Sequence, residues 1–163
     1  MSLTLVRFSL GTHQCALALG AVHEVLRVVA VTPLPVAPRF VEGVINRRGV
    51  VTPVLDLRKR IGLECGPYDS ATRIVVTAIG GQPAGLIVDD VSDVVTIDTA
   101  AMGLDPSEAL GLDLRQYADR VVRVGDDLVV VIDSEKILTP DEAHAFETAV
   151  IPQEGGSGQR EDA

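Results

Sequence analysis

The stretch VEGVINRRGVVTPVLDLRKRIG, from Val41 to Gly62, contains two short apolar segments on either side of Gly49 and ends in a basic cluster. Gly43–Arg48 and Val50–Leu55 are rich in β-branched residues, which fit the pleated surface of a sheet. We therefore expect two strands with a bend at Gly49. Pro53 is expected at a sheet edge or a bulge, because it has no N–H to donate. The closing segment, LDLRKRIG, predicts one helical turn that ends at Gly62.

Short apolar segments separated by turn residues continue on both sides of this stretch. Valine supplies 25 of the 163 residues, and three prolines between positions 33 and 38 exclude a long helix there. The Thr139-Pro140-Asp141-Glu142 capping box predicts a helix that runs to Val150. The further predicted strands are Leu3–Leu10, His13–Leu19, Thr72–Ile79, Gly85–Val91, Asp93–Ile97, Val121–Val124 and Leu128–Ile132.

The number and spacing of these strands predict a mainly β fold. Such a pattern is typical of small barrels or a sandwich. A division near Gly80 gives two halves that each have enough strands for a small barrel, with an N-terminal strand that either half could include. We expect residues 1–152 to form the folded domain and residues 153–163 to be a flexible, disordered tail.

Composition and charge restrict the class of function. The chain is 47% hydrophobic and 23% charged, so a packed core is expected. A net charge of −9 argues against nucleic-acid binding, which depends on Lys and Arg, and favours protein partners. Arg7 and His13 interrupt the apolar start of the chain, and no segment approaches the length of a membrane span, so we expect a soluble, cytoplasmic protein without direct membrane insertion.

No catalytic or metal-binding motif is evident in the sequence. Cys15 and Cys65 lack CxxC spacing and predict two small, buried or half-buried thiols, with no metal site. Asp89-Asp90 followed by Asp93 could suggest a cation site, but a solvated strand end explains them. His23 beside Glu24 does not form a general-base pair, because neighbouring side chains point in different directions. We therefore predict a protein that is not an enzyme and needs no cofactor.

Arg47 and Arg48 are the residues that most need an explanation. On a strand, Arg47 shares a face with Ile45, where it can snorkel to solvent, while Arg48 shares a face with Asn46. A fixed guanidinium fork at Arg48 suits a partner's carboxylate or backbone carbonyl. An alternative is a small β-barrel that binds an anionic metabolite through Arg47 and Arg48.

These segments also resemble a known family. Gly43-Val44-Ile45-Asn46, Arg48-Gly49 and Pro53–Arg58 resemble the GV(I/T)N-L-RG-x-x-x-P-(I/V)-x-D-L-R signature of CheW-like chemosensory adaptors, which couple receptors to a kinase in bacterial arrays. The segments FSLG, ALALGAVHEV, GLIVDDVSDV and LVVVIDSEKIL are similar to other motifs of that family, so the resemblance spans Val6 to Leu138.

The resemblance implies two five-stranded SH3-like β-barrels with a C-terminal helix, no catalysis, and two partners. These are the tip of a methyl-accepting chemotaxis receptor, a helical hairpin, and the regulatory domain of a CheA-type histidine kinase, in chemotaxis or a related motility or developmental pathway. It implies a receptor-binding groove at Val22, Glu24, Gly43, Asn46, Arg48, Gly85 and Val94, and a kinase-binding segment containing Arg27, Val28 and Val31.

One residue departs from the family pattern. The family usually has leucine at the position of Arg47. We expect Arg47 either to reach solvent or to meet an acidic partner, because an unpaired buried guanidinium is costly.

Overall fold

The computed structural model describes residues 2–35, 37–63, 66–98 and 112–144 of the chain. Strands dominate these residues, and the helices are short. The strands are β1 (Ser2–Leu10), β2 (His13–Ala18), β3 (Glu24–Arg27), β4 (Val41–Arg47), β5 (Val50–Asp56), β6 (Arg73–Ile79), β7 (Gln82–Val88), β8 (Asp90–Asp98), β9 (Ala118–Val124) and β10 (Asp127–Ile132). The helices are α1 (Leu57–Arg60), α2 (Leu112–Arg115) and α3, residues 140–144, and Leu19–Ala21 and Ser134–Lys136 form 3-10 turns.

The strands form two five-stranded sheets. The first sheet has the order β8-β1-β2-β10-β9, and the second has the order β3-β6-β7-β5-β4. All neighbouring strands are antiparallel except the pairs β2–β10 and β5–β7. The predicted mainly β fold with two five-stranded units is confirmed. The division does not fall near Gly80, however, because Gly80 lies in the turn between β6 and β7, which are neighbours in the second sheet.

Two-residue turns explain where several strands begin and end. Gly80 and Gly81 both have positive φ angles, of 61° and 81°, so these two residues alone close the hairpin. The following strand therefore begins at Gln82, three residues before the predicted start at Gly85. The predicted bend at Gly49 is a two-residue turn of the same kind, formed by Arg48 and Gly49.

Pro53 was expected at an edge or a bulge, but β5 lies between β4 and β7 in the second sheet. The register explains how the proline is accommodated. Pro53 is opposite Val44, whose N–H and C=O both bond to Thr32 on the other side of β4. The β5–β7 ladder begins only at Val54. Neither neighbouring strand therefore requires an N–H from Pro53.

Apolar side chains form three clusters that hold the two sheets in one unit. One cluster, which includes Leu5, Val122 and Val129, belongs to the first sheet, and another, which includes Ile45, Ile74 and Ile87, belongs to the second. The largest cluster contains residues of both sheets, among them Phe8, Leu17, Leu55 and Leu86. This shared core fixes one sheet against the other, because close packing leaves little room for relative movement.

The predicted C-terminal helix is present at residues 140–144, and its continuation to Val150 lies outside the described residues. Its capping box is formed as predicted. The Glu142 N–H donates to Thr139 Oγ1 at 3.1 Å, and the Thr139 N–H donates to Glu142 Oε1 at 2.8 Å. The expected tail at residues 153–163, and Cys65, also lie outside the described residues.

Candidate functional site

Arg48 occupies an exposed turn with an unusual backbone conformation. It has a φ of 54°, and no other non-glycine residue in the described part of the chain has a positive φ. Its neighbour Gly49 has a φ of 83°, and Arg47 pairs with Val50 across the turn. The Arg48 side chain is 77% exposed. The tight hairpin therefore holds the base of this arginine in place while its guanidinium group projects into solvent.

Glu24 on β3 holds both arginines of this turn. Arg47 donates from Nε to Glu24 Oε1 at 2.8 Å, and Arg48 donates from Nη2 to Oε2 at 3.0 Å. Because β3 and β4 are the two edge strands of the second sheet, these bonds join opposite edges, and the sheet curves back on itself. The sequence required Arg47 to reach solvent or meet an acidic partner, and the partner is a carboxylate of the same chain.

The two guanidinium groups stabilise the charged form of Glu24. The hydrogen bond from Arg47 is the largest cause, and together with the charge of Arg48 it outweighs the effect of burial, so the pKa of Glu24 is lowered from its ordinary value of 4.5. Glu24 is therefore ionised at neutral pH. The cluster of Glu24, Arg47 and Arg48, which we call the charge cluster, has one negative and two positive charges.

Polar and apolar groups next to the charge cluster complete a small surface. Asn46 Oδ1 accepts a 2.7 Å hydrogen bond from the N–H of Gly49, which stabilises the turn. Val50 and Val51 follow the turn, and each is about half exposed. Exposed valines beside a fixed charge are typical of surfaces that bind other proteins.

The two glycines predicted for the groove lie close to other chain segments. A Cβ on Gly43, whose φ is 145°, would be 2.0 Å from the carbonyl oxygen of Thr32. Gly43 therefore permits the bridge between Thr32 and β4. Gly85 is buried in β7, and a Cβ there would be 2.7 Å from Ile74 Cγ2. Gly85 thus serves the packing of the second sheet and presents no side chain to a partner.

The remaining predicted receptor-binding residues lie apart from the turn. Val22 is half-buried against the shared core, two residues before the start of β3. Val94 lies on β8, an edge strand of the first sheet, and is 57% exposed. The structure thus brings Glu24, Asn46 and Arg48 together at one end of the second sheet and places Val94 on the other sheet.

The predicted kinase-binding segment follows the end of β3. Arg27 is exposed and pairs in the ladder with Arg73, while Val28 is half-buried. Val31 packs against the apolar cluster of the second sheet, so only part of its side chain is accessible. This segment leads directly into the bridge between Thr32 and Val44.

Two other basic residues of the Val41–Gly62 stretch, Arg58 and Arg60, stabilise the fold. Arg58 is buried and donates to both oxygens of Asp56, which is itself fully buried, and to Asp89 at 3.1 Å. Asp89 also accepts from the N–H of Gly11, in the turn between β1 and β2. Because Asp89 lies between the two sheets along the chain, this network connects them, and its carboxylate is not simply a solvated strand end.

Arg60 connects α1 to the C-terminal part of the chain. Its guanidinium group donates to Glu142 at 2.6 and 3.1 Å and to the carbonyl oxygen of Ile137 at 2.9 Å. It also lies over the rings of Phe40 and Tyr117, at 4.4 and 5.5 Å from their centroids. Arg60 therefore fixes the start of α3 against the body of the molecule.

The described part of the chain has neither a reactive thiol nor a metal-binding cluster. Burial raises the pKa of the Cys15 thiol to about 12, so the thiolate that could react is not formed at neutral pH. The described residues contain no cluster of three or more His, Cys, Asp or Glu side chains that could hold a metal ion. No helix in the described ranges is both long and apolar enough to cross a membrane.

A core shared by two sheets, with a charged and partly apolar turn at one end, defines a scaffold that binds other proteins. Comparison with known proteins identifies the family. The chain belongs to the family of CheW-like domains, whose pattern matches residues 4–142. It is 30% identical to chemotaxis protein CheW of Klebsiella aerogenes over 83% of this chain and 81% of that protein.

A second relative and a solved structure agree with this assignment. The probable chemotaxis protein CheW of Rhizobium etli is 30% identical, with 86% of this chain and 90% of that protein covered. The crystal structure of the scaffolding protein TtCheW from Thermoanaerobacter tengcongensis superimposes with a TM-score of 0.79 at 32% identity, covering 87% of this chain and 96% of that one. The chain is therefore a chemosensory adaptor, and the anionic-metabolite alternative is not supported.

Sequence reasoning missed the shared carboxylate in the charge cluster. Glu24 and Arg47 lie on strands that are distant in the sequence and meet only because the second sheet curves. The alternating pattern placed Arg47 on the same face as Ile45 and left two possibilities for the arginine, to reach solvent or to meet an acidic partner. Nothing in the local sequence indicated that Glu24 would be that counter-ion.

Proposed function

We propose that this adaptor couples the helical tip of a methyl-accepting chemotaxis receptor to the regulatory domain of a CheA-type histidine kinase. It acts as a scaffold without catalysis, in the cytoplasm at membrane-associated receptor arrays. The observation that carries the proposal is the exposed Arg48 guanidinium, held by a left-handed turn and by Glu24. Membership of the CheW-like family supports the choice of partners.

The receptor-binding surface in this proposal is centred on Glu24, Asn46 and Arg48. Val22 and the exposed Val94 of the first sheet add apolar contact away from the turn, for a helical hairpin whose residues at i, i+3 and i+4 spacing share one face. Gly43 contributes by its backbone shape. We leave Gly85 out of the contact surface because it is buried in β7.

The kinase-binding surface is the segment with Arg27, Val28 and Val31. Arg27 is exposed and available for a carboxylate, while the valines supply apolar area at its margin. Because β3 contains Glu24 at its start and Arg27 at its end, the two proposed surfaces share one strand of the second sheet. A rigid strand can transmit receptor geometry to the kinase without a large conformational change.

Individual interfaces of this kind need not be tight. In an array, several contacts form between the same components, and each bound contact raises the effective concentration for the next. A single adaptor–receptor contact with micromolar affinity is therefore sufficient. The adaptor must, however, bind receptor and kinase at the same time through separate surfaces.

A capture experiment with charge-reversed variants tests the proposal. Purified wild-type protein should capture a methyl-accepting receptor and a CheA-type kinase from lysate, both identified by mass spectrometry. Arg48→Glu should lose the receptor and keep the kinase, because its new carboxylate lies beside Glu24 and repels an acidic partner. Arg123→Glu, an equal charge change at an exposed position of β9, should behave as wild type.

Two results would contradict the proposal. Capture of neither protein by the wild type would exclude the assigned partners. Normal receptor capture by a folded Arg48→Glu protein, with circular dichroism and melting temperature like those of wild type, would exclude the assigned surface.

A further inference from the structure

The charge cluster has an excess positive charge because one carboxylate forms ion pairs with two guanidinium groups. Glu24 contributes one negative charge, and Arg47 and Arg48 each contribute a positive one. A leucine at position 47 would leave a neutral Glu24–Arg48 pair. The presence of Arg47 therefore changes the charge that this turn presents to a partner.

Arg47 has the stronger interaction with Glu24. Its side chain is 19% exposed and follows Ile45, which belongs to the apolar cluster of the second sheet. A guanidinium group in such a place needs a counter-ion, because leaving it unpaired away from water is costly. Its 2.8 Å bond from Nε is also shorter than the bond from Arg48.

Arg48 is held more weakly and remains available. It donates to Glu24 through Nη2 alone, at 3.0 Å, in an exposed position where an ion pair contributes little. The other N–H groups of this guanidinium make no hydrogen bond to any described residue. An arginine can present two parallel N–H groups to a carboxylate, so this side chain can bind a second carboxylate bidentately.

We propose that Arg47 is a specificity-determining residue: it neutralises Glu24 and thereby leaves Arg48 to bind a carboxylate on the receptor's helical tip. This inference rests on the proposed receptor-binding function and specifies the chemistry of the partner. Arg47 acts through Glu24 and is a positioning residue, whereas Arg48 makes the contact.

The apolar neighbours define the partner further. Val50 and Val51 are half exposed immediately after the turn. A receptor helix that fits this surface has a Glu or Asp opposite Arg48 and apolar residues three or four positions away, on the same helical face. A receptor tip without an acidic residue on that face would leave the charge of Arg48 uncompensated.

Binding measurements with matched variants test the inference. The probe is the soluble cytoplasmic fragment of the receptor identified in the capture experiment, titrated at 50 and 300 mM NaCl. Arg47→Leu should weaken binding about tenfold at low salt, because Arg48 then pairs fully with Glu24 and a charge-assisted hydrogen bond to the partner is lost. The salt dependence should become shallower.

Two further adaptor variants serve as controls. Arg47→Lys keeps the positive charge next to Glu24 and should retain most of the affinity. Arg123→Leu removes one positive charge from an exposed position of the first sheet and should stay within about twofold of wild type. Binding by Arg47→Leu that equals or exceeds wild-type binding would overturn the inference.

Substitutions on the receptor fragment identify the contacted group. Each acidic residue of the tip is changed in turn to its amide. One of these changes should weaken wild-type binding about tenfold and have little effect on the Arg47→Leu protein. If no acidic residue shows this coupling, Arg48 binds another group, such as a backbone carbonyl, and the inference is wrong.

An NMR measurement on the adaptor alone separates a failure of the inference about Arg47 from a failure of the proposed receptor-binding function. NMR of the arginine Nε–H groups should show slow exchange for Arg47 and fast exchange for Arg48 in the wild type. Arg48 should become slower in Arg47→Leu. Equal exchange of Arg48 in both proteins would overturn the inference whatever the receptor does. If the exchange pattern is as expected but no receptor is captured, the proposed function is wrong. The proposed contact between Arg48 and the receptor is then wrong as well.

Discussion

The β4–β5 turn and α1 belong to one stretch of sequence, and both contain arginines. The arginines of α1 are buried or half-buried, whereas Arg48 at the turn is exposed. In α1, Arg58 is buried against Asp56, and Arg60 lies between two aromatic rings and a carboxylate. At the turn, Arg48 is largely exposed and, within the described ranges, shares its one carboxylate partner, Glu24, with Arg47. A basic cluster in a sequence therefore does not define a binding surface, since burial decides which charges remain available to partners.

Removing a buried member of α1 is the most severe test of this comparison. We expect Arg58→Ala to lower the free energy of unfolding by about 3–5 kcal/mol, because it leaves the fully buried Asp56 carboxylate without its main counter-ion. Urea unfolding measures this change. Arg123→Ala, at an exposed site, should change stability by less than about 0.5 kcal/mol. Equal stability of the two variants would show that Arg58 does not hold the sheets together.

The Arg60–Glu142 pair offers an intermediate test. Glu142→Gln keeps a side chain that can complete the capping box but loses the charged, two-bond contact with Arg60. We expect a loss of about 1 kcal/mol in the free energy of unfolding. Thr139→Ala, which removes the cap but leaves the ion pair, should cost a similar amount. No change in Glu142→Gln would mean that the aromatic rings and the Ile137 carbonyl oxygen are sufficient to hold Arg60.

The charge cluster should show a smaller effect on stability that depends on Arg47. Glu24→Gln should lower the melting temperature, because it leaves the half-buried Arg47 without a counter-ion. Adding Arg47→Leu should recover most of the loss. Calorimetry of the two single variants and the double variant gives the coupling between the residues. Independent, additive effects would show that Arg47 does not rely on Glu24.

The weakest effect concerns pH. The pKa of Glu24 is lower in the folded protein than its ordinary value of 4.5, mainly because of the hydrogen bond from Arg47. The unfolded chain therefore binds more protons as the pH falls, so this contribution to stability is present above the ordinary pKa and lost at lower pH. Unfolding measured from about pH 5 to pH 3 should show a smaller loss for Arg47→Leu than for wild type. An unchanged pH dependence would contradict this account.

Local sequence patterns were sufficient to predict most strands, the β4–β5 turn, the helical turn α1 and the capping box of α3. The β-branched segments around Gly49 form the β4–β5 hairpin, LDLRKRIG forms α1, and Thr139 with Glu142 forms the capping box. These features depend on residues that are close in the sequence. The boundary predicted near Gly80 was wrong because β1 and β2 pair with strands from the far end of the chain, and such pairing leaves no local trace.

The sequence by itself determined that this is a mainly β chemosensory adaptor, because strand periodicity, turn residues and family motifs are all local properties. Only the tertiary structure decided which arginines are exposed. Arg58 and Arg60 meet carboxylates and rings from other parts of the chain, and Arg47 meets Glu24 across the curved second sheet. The energy of a charge depends on its distance from opposite charges and on its access to water, and both are set by contacts between residues that are far apart in the sequence.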